Sequence, residues 1–166
     1  MNFIGIKTTA EIEKLASLAS EIWHEYWTVI LSLEQIDYMV EKFQSKDAIK
    51  LQIENDRYIY NILEDNGNII GYFCVCPKVD YLFLSKLYIK KDFRNLGCGK
   101  LAFNKIKQIA LEYGKNKIQL TVNKNNTNTI KTYEKWGFKQ IDSVVTDIGC
   151  GFVMDDYIME YSLEEN

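Results

Sequence analysis

The sequence predicts an α/β fold with a mixed sheet: N-terminal helices, an antiparallel meander, and then a parallel β-α-β unit. Three observations predict it. Apolar residues recur at spacings of three and four over the first third of the chain. The middle consists of apolar runs separated by short polar turns, and a strand, a helix and a strand follow it. The chain has 166 residues, which suits a single domain over residues 1–166.

Three helices are predicted in the first third, after a short strand at residues 3–6. The first helix carries an apolar stripe. Its members are Ile12, Leu15, Ala16, Ala19, Ile22, Trp23 and Tyr26. The second helix begins near Leu33, where Ser32 and Gln35 have the spacing of a capping box. Residues 45–55 form a third, short helix.

The middle of the chain is predicted to be a three-stranded meander. Residues 57–64 alternate as a strand before the turn at residues 65–68, which indicates a hairpin. Residues 69–76 are almost continuously apolar, which is typical of a strand buried on both faces. Residues 81–89 form the third strand.

The last third predicts a crossover helix and three more strands. Phe103, Ile106, Ala110 and Tyr113 give the helix an apolar stripe that ends near Gly114. A strand at residues 117–122 then pairs in parallel with the third meander strand. A polar loop at 123–127, a short helix at 127–136 and strands at 138–145 and 157–163 follow.

Composition excludes several classes of function. A net charge of −3 with dispersed lysines argues against nucleic-acid binding and weakly favours a cationic substrate. The four cysteines form no C-x-x-C pair, which favours a reducing, cytoplasmic setting. No basic leader and no run of about 20 apolar residues is present, so no membrane association is predicted. No metal site is predicted either.

A glycine turn, Arg94-x-x-Gly97-x-Gly99, lies between the third meander strand and the crossover helix. Backbone N–H groups can close around a phosphate there, and the helix N-terminus adds its positive dipole end. The turn lacks the Gly-Lys-Ser/Thr of a Walker loop and the second half of a dinucleotide fold. A pyrophosphate site and a turn with no ligand both remain open on this motif alone.

A second block, Asn126-x-x-x-Ile130-x-x-Tyr133-x-x-x-Gly137-Phe138, follows the strand at 117–122. Together the two motifs resemble the GCN5-related N-acetyltransferase (GNAT) superfamily, and the order of elements agrees over almost the whole chain. Residues 84–89 and 151–157 are similar to the bacterial spermine/spermidine acetyltransferase branch.

The resemblance implies a single-domain GNAT fold that binds acetyl-CoA in a slot between two splayed strands. It implies a pyrophosphate site at the glycine turn, a pantetheine arm paired with the strand before it, and Asn126 on the other side of the cofactor. The implied cofactor-binding residues are Leu87, Tyr88, Ile89, Arg94, Asn95, Leu96, Gly97, Cys98, Gly99, Lys100, Asn126 and Tyr133.

Acetyl transfer by direct attack of an amine, through a tetrahedral intermediate, needs a proton donor for the thiolate and a base for the amine. By resemblance Tyr133 is the catalytic group near the thioester sulfur, and a backbone N–H of residues 87–89 serves the oxyanion. A core-facing aromatic is the alternative role for Tyr133. The candidates for the base are His24, Glu25, Asp155 and Asp156. His24, Asp155 and Asp156 also fit exposed positions without chemistry.

The function predicted is acetyl transfer from acetyl-CoA to a small cationic amine, with a polyamine such as spermidine or spermine favoured. A non-catalytic acyl-CoA-binding module and a protein lysine acetyltransferase are the alternatives. Residues of the first helices and the final strands are expected to bind the acceptor. They are Trp23, His24, Trp27, Asp155 and Asp156. Exposed edges in the last strands favour a homodimer.

Overall fold

A computed structural model describes residues 1–163 of the protein. Within these residues the chain forms five α-helices and seven strands. In chain order they are β1 (Asn2–Gly5), α1 (Thr9–Tyr26), α2 (Leu33–Gln44), α3 (Lys46–Asn55), β2 (Ile59–Asp65), β3 (Asn68–Pro77), β4 (Leu82–Ile89), α4 (Cys98–Glu112), β5 (Lys117–Asn123), α5 (Thr127–Trp136), β6 (Lys139–Gly149) and β7 (Phe152–Ser162).

The strands form one mixed sheet in the order β1-β2-β3-β4-β5-β7-β6. The meander pairs antiparallel, and β4 pairs in parallel with β5 at Leu82↔Ile118 and Phe83↔Gln119. β7 then inserts antiparallel between β5 and β6. The predicted α/β class, with its meander and its parallel β-α-β unit, is therefore confirmed.

The chain divides into two compact units. Unit 1 comprises residues 1–76 and 86–103, and unit 2 comprises residues 77–85 together with the chain from residue 104. In unit 1, the apolar face of α1 packs with α3 and the meander around fully buried side chains such as Leu15, Ile49 and Tyr72. In unit 2, Ile106, Ile118 and Met159 are fully buried. The single domain over the whole chain stays a prediction.

The N-termini of the first three helices are fixed by side-chain caps. The Thr8 hydroxyl accepts a hydrogen bond from the Glu11 N–H at 3.3 Å, and the Glu11 carboxylate accepts from the Thr8 N–H at 2.8 Å. The Ser32 hydroxyl accepts from the Gln35 N–H at 3.2 Å, as the predicted cap requires. Each cap satisfies an amide that the helix itself leaves without a partner.

The central strand β3 is buried on both faces, as predicted: every residue from Ile70 to Cys76 is buried. The turn before it uses Asn66 and Gly67, both with positive φ (50° and 81°), the backbone of a tight hairpin. Gly71 leaves room for β4, because a Cβ there would lie 2.2 Å from the Tyr88 carbonyl oxygen. The close approach of β3 and β4 therefore depends on this glycine.

The final hairpin is longer than predicted. The sequence predicts strands at 138–145 and 157–163, whereas β6 runs to Gly149 and β7 begins at Phe152. A turn of Gly149, Cys150 and Gly151, all with positive φ, joins them. Most residues of β6 are exposed. The strand therefore lacks the alternation of apolar and polar residues from which a half-buried strand is predicted.

The predicted apolar stripe of α4 was wrong at Tyr113. This residue follows the helix and is 49% exposed.

Lys86 is an unexpected buried cation on the inward face of β4. Its ammonium lies 5.1 Å and 5.3 Å from the ring centroids of Tyr58 and Tyr60 and 3.5 Å from the Gln52 side-chain oxygen. Burial lowers the pKa of this lysine, because an ammonium ion loses its hydration there. The aromatic faces offset part of that cost.

A search of the described helices for a membrane span, by length and hydropathy, found none.

Candidate functional site

The glycine turn has the backbone shape of an anion cradle. Asn95 and Gly97 both have positive φ (61° and 84°), and α4 begins at Cys98 directly after them. The space where a Cβ of Gly97 would lie contains no atom within 4 Å. Leu96 and Gly97 are exposed, so the backbone of the turn lies at the surface rather than in the core. Amides in this conformation at a helix N-terminus bind phosphate groups well.

Arg94 holds this turn in place rather than facing an anion. Its Nε donates to the Ile89 carbonyl at 2.8 Å, and its two terminal nitrogens donate to both oxygens of Glu25 at 3.1 and 2.5 Å. The guanidinium also lies 5.0 Å from the Tyr26 ring centroid. The turn is thereby tied to α1. Because both Glu25 oxygens accept from Arg94, the structure does not favour Glu25 as the base.

The other predicted cofactor residues of unit 1 lie on either side of the turn. Leu87, Tyr88 and Ile89 are half-buried at the end of β4, and the Tyr88 ring stacks 5.5 Å from the Tyr72 ring. Gly99 is half-buried in the first turn of α4, and Lys100 is exposed beside it, with its ammonium 5.3 Å from the Phe103 ring centroid. Cys98 is half-buried and free.

Trp23 and Trp27 lie inside unit 1, with 5% and 6% of their surface exposed. Trp23 donates its indole N–H to the Tyr72 hydroxyl at 2.9 Å, and that hydroxyl donates to Gln44 at 3.1 Å. The indole N–H of Trp27 is buried without a partner. The assignment of both residues to the acceptor site stays a prediction.

His24 lies between two acceptors at the surface of α1. Its Nδ1 is 2.7 Å from the Ser20 carbonyl oxygen, and its Nε2 is 2.7 Å from an Asp37 carboxylate oxygen. The bond to Asp37, and then the bond to Ser20, raise the pKa of His24 because both stabilise the imidazolium. Because both ring nitrogens are already hydrogen-bonded, this geometry does not favour His24 as the base.

Unit 1 also has an open cavity of about 510 Å³ bordered by α1, the β2–β3 turn and residues 90–93. Four carboxylates and three lysines are among its lining residues. They are Glu21, Glu25, Glu64, Asp92, Lys14, Lys90 and Lys91. Two of the carboxylates are already neutralised, Glu21 by Lys90 at 3.0 Å and Glu25 by Arg94. The cavity therefore has no strong preference for one charge.

In unit 2, Tyr133 projects from α5 into an aromatic cluster. Its ring centroid lies 5.6 Å from that of Trp136 and 5.3 Å from that of Phe138, and 8% of the residue is exposed. Gly137 ends α5 with a φ of 101°, which lets the Phe138 N–H return to the Tyr133 carbonyl at 3.0 Å. The ring of Tyr133 is therefore fixed by packing.

Asn126 lies in the loop between β5 and α5, directly before the helix. Its N–H donates to the Asn123 carbonyl at 2.9 Å, and its carbonyl accepts from the Ile130 N–H at 3.1 Å. The residue is 7% exposed. Asn126 therefore stands at the start of α5, at the same end of β5 as Asn123.

Asp155 and Asp156 lie inside β7, because this strand begins at Phe152 rather than at residue 157 as predicted. Asp155 is exposed, and one of its carboxylate oxygens pairs with the Lys124 ammonium at 2.5 Å. Asp156 is 8% exposed and its Oδ1 is buried without a hydrogen-bond partner. Burial, and then the neighbouring Asp155 charge, raise the pKa of Asp156 from 3.8 to about 6, although Lys124 opposes the shift.

Sequence reasoning missed two features of these units. The pairing of Arg94 with Glu25 joins residues 69 positions apart, and no local pattern indicates it. The burial of Asp156 is likewise not visible in a run of two adjacent carboxylates. A longer β7 would have indicated it, because alternation along the strand sends Asp155 and Asp156 to opposite faces. Among residues 1–163, no cluster of three or more potential metal ligands was found.

Comparison with known proteins gives one family and a set of similar folds. The model of the acetyltransferase (GNAT) family matches residues 15–138. The PaiA N-acetyltransferase of Thermoplasma acidophilum, solved in complex with coenzyme A, is 24% identical with a TM-score of 0.77 over 98% of this chain and 99% of that chain.

Two further structures extend the likeness. A GNAT family acetyltransferase from Elizabethkingia anophelis with acetyl-CoA bound is 18% identical, with a TM-score of 0.59 over 72% of this chain and 84% of that chain. The ribosomal-protein-S18-alanine N-acetyltransferase of Escherichia coli is 16% identical, with a TM-score of 0.68 over 98% of this chain and 93% of that chain. At these identities the likeness shows the fold.

Proposed function

Because the chain belongs to the acetyltransferase (GNAT) family, whose model matches residues 15–138, we propose that it acetylates a small cationic amine, with a polyamine such as spermidine favoured. Acetyl-CoA-dependent N-acetyl transfer is the activity of the family. The observation that carries its assignment to this chain is the glycine turn, whose exposed amides and positive φ values suit a pyrophosphate. The net charge of −3 supports a cationic acceptor.

The residues present fit the cofactor. Amides from Leu96 to Lys100 would hold the pyrophosphate, and β4 residues Leu87 to Ile89 would pair with the pantetheine arm. Arg94 would act indirectly, because its bonds to Ile89 and Glu25 hold the turn in its shape. When bound, acetyl-CoA supplies the activated acetyl group. Tyr133 would donate a hydrogen bond or a proton to the departing thiolate.

Gly97→Ala is expected to raise the Kd for acetyl-CoA about tenfold or more. An alanine at a φ of 84° is strained by about 1–2 kcal/mol, so the turn shifts and its amides no longer converge. Gly114→Ala is a matched control, since Gly114 also has a positive φ (65°) and open space but lies at the other end of α4. Isothermal titration measures both, and equal affinities in the two variants would contradict a pyrophosphate site at the turn.

The acceptor is tested by CoA release with spermidine, spermine, amino acids, aminoglycosides and lysine peptides. We expect the largest kcat/KM with a polyamine. Turnover with peptides alone would replace the proposal by a protein lysine acetyltransferase, and acetyl-CoA binding without turnover would indicate a non-catalytic module. Because Cys150 is exposed, CoA is best quantified by chromatography rather than by a thiol reagent.

The setting of the reaction is also proposed. All four cysteines of the described chain are free, which supports a reducing compartment such as the cytoplasm.

β6 lies at one edge of the sheet, and Ile141 and Val145 on it are 51% and 64% exposed. An exposed edge of this kind supports a homodimer, for which sedimentation equilibrium is the measurement.

A further inference from the structure

Asp156 is a buried carboxylate, and within unit 2 its Oδ1 has no hydrogen-bond partner. It shares a strand with Glu160 and lies on the same face of β7, four residues away. Glu160 accepts from the Gln119 amide at 2.7 Å and pairs with the Lys117 ammonium at 3.1 Å. Asp156, by contrast, is more buried and its Oδ1 has no hydrogen-bond donor.

Such a group is costly to the fold. A buried charged oxygen without a donor forfeits its hydration, and native structures rarely tolerate it unless an ordered water, an ion or a ligand supplies the partner. The nearest cation, Lys124, is already engaged by Asp155 at 2.5 Å. The β6 residue opposite Asp156 is Val144, which has no donor side chain. Within unit 2, no described residue supplies the donor that Oδ1 lacks.

The position of Asp156 links it to a predicted cofactor residue of the same unit. Asp156 pairs directly with Asn123, the last residue of β5. The Asn123 carbonyl accepts the N–H of Asn126, which the resemblance to the family places beside the cofactor. At the next position along the chain, the Lys124 N–H donates a hydrogen bond to the Asp155 carbonyl oxygen at 3.0 Å. Asp156 and Asn126 therefore lie at the same end of β5.

We propose that Asp156 binds the ammonium group of the acceptor amine and takes its proton. This inference rests on the proposed function and identifies the base that the sequence left open among four residues. An ammonium ion supplies both the charge and the N–H donors that Oδ1 lacks. Of the four, His24 has both ring nitrogens hydrogen-bonded to acceptors. Glu25 is held by Arg94, and Asp155 is paired with Lys124.

The proton transfers of the reaction then balance with one carboxylate, Asp156, and one phenol, Tyr133. The nitrogen loses two protons overall. The first would pass to Asp156, which frees the nitrogen lone pair. The C–N bond would form as the C=O π bond opens to a tetrahedral intermediate, and the C–S bond would break when that intermediate collapses. Tyr133 would give its phenol proton to the leaving sulfur and regain one as the nitrogen loses its second proton. Asp156 finally releases its proton to solvent. Burial raises the pKa of this carboxyl to about 6, which leaves it mostly ionised at pH 7 and basic enough for the task.

The test compares Asp156→Asn with Glu160→Gln, using the amine that the wild-type enzyme turns over fastest. Asp156→Asn is expected to lower kcat/KM at pH 7 about 100-fold, while the Kd for acetyl-CoA stays within about twofold. Glu160→Gln removes a carboxylate of the same strand and face and is expected to stay within about threefold.

The pH profile separates a base from a structural role. Free amine becomes abundant as pH approaches its pKa of about 10.4, so the deficit of Asp156→Asn should shrink about tenfold or more between pH 7 and 9.5. The wild-type profile should also break downward near pH 6, where Asp156 takes up a proton, whereas the variant, which depends only on free amine, should show no break there. Folding is checked by thermal melting.

Two outcomes overturn the inference alone: an Asp156→Asn variant within threefold of an active wild type, or a deficit that is constant with pH. A wild-type protein that binds no acetyl-CoA would instead overturn the proposed function, and this inference with it.

Discussion

Tyr133→Phe is expected to lower kcat about 1,000-fold while the Kd for acetyl-CoA changes less than about threefold. The substitution removes one hydroxyl and keeps the ring that Trp136 and Phe138 hold in place. A phenol with a pKa near 10 can donate to a thiolate whose conjugate acid has a pKa near 8.5, and loss of a positioned proton donor typically costs 10² to 10⁴ in rate. Steady-state kinetics and titration calorimetry measure the two quantities.

Tyr161→Phe is the matched control for this experiment. Tyr161 is 7% exposed, and its ring lies 5.5 Å from the Phe138 ring, so it belongs to the same aromatic cluster as Tyr133. Removing its hydroxyl changes the cluster in a similar way, and kcat is expected to stay within about threefold. Equal losses in the two variants would show that the cluster needs intact packing, and would refute Tyr133 as a proton donor.

The local parts of the fold could be predicted from the sequence because their causes are local. Gly97 and Gly137 occupy positions of positive φ at helix ends, and the apolar run of β3 follows from burial on both faces. The parallel pairing of β4 and β5 follows from the order strand, helix, strand, because a crossover helix joins parallel neighbours. Each of these features is determined by residues within about one element, so periodicity and turn chemistry are sufficient.

The environment of the candidate site could not be predicted, because it depends on contacts far apart in sequence. From its sequence motif, Arg94 is expected to bind an anion. In the structure its side chain instead donates hydrogen bonds to the Ile89 carbonyl and the Glu25 carboxylate. Lys86 on β4 is charged in sequence but buried under Tyr58 and Tyr60. Asp156 differs from Asp155 only through strand alternation. Burial decides the chemistry of these residues, and burial is a tertiary property.

Gly71→Ala is expected to lower the free energy of unfolding by about 1–3 kcal/mol, the usual range for overpacking, and near its upper end because the colliding atoms belong to the backbone. The new Cβ would lie 2.2 Å from the Tyr88 carbonyl oxygen and 3.1 Å from the Ile89 Cα. Urea denaturation measures the change, and the m-value should remain that of the wild type.

Gly5→Ala is the control for this last variant, since Gly5 also lies in a strand and its Cβ would meet only the Asn61 side-chain oxygen at 3.9 Å. The two alanines remove the same chain entropy, so their difference isolates the collision between β3 and β4. Because that collision displaces the backbone of Tyr88 and Ile89, Gly71→Ala should also weaken acetyl-CoA binding, whereas Gly5→Ala should not. Equal unfolding midpoints in the two variants would contradict the close approach of these strands.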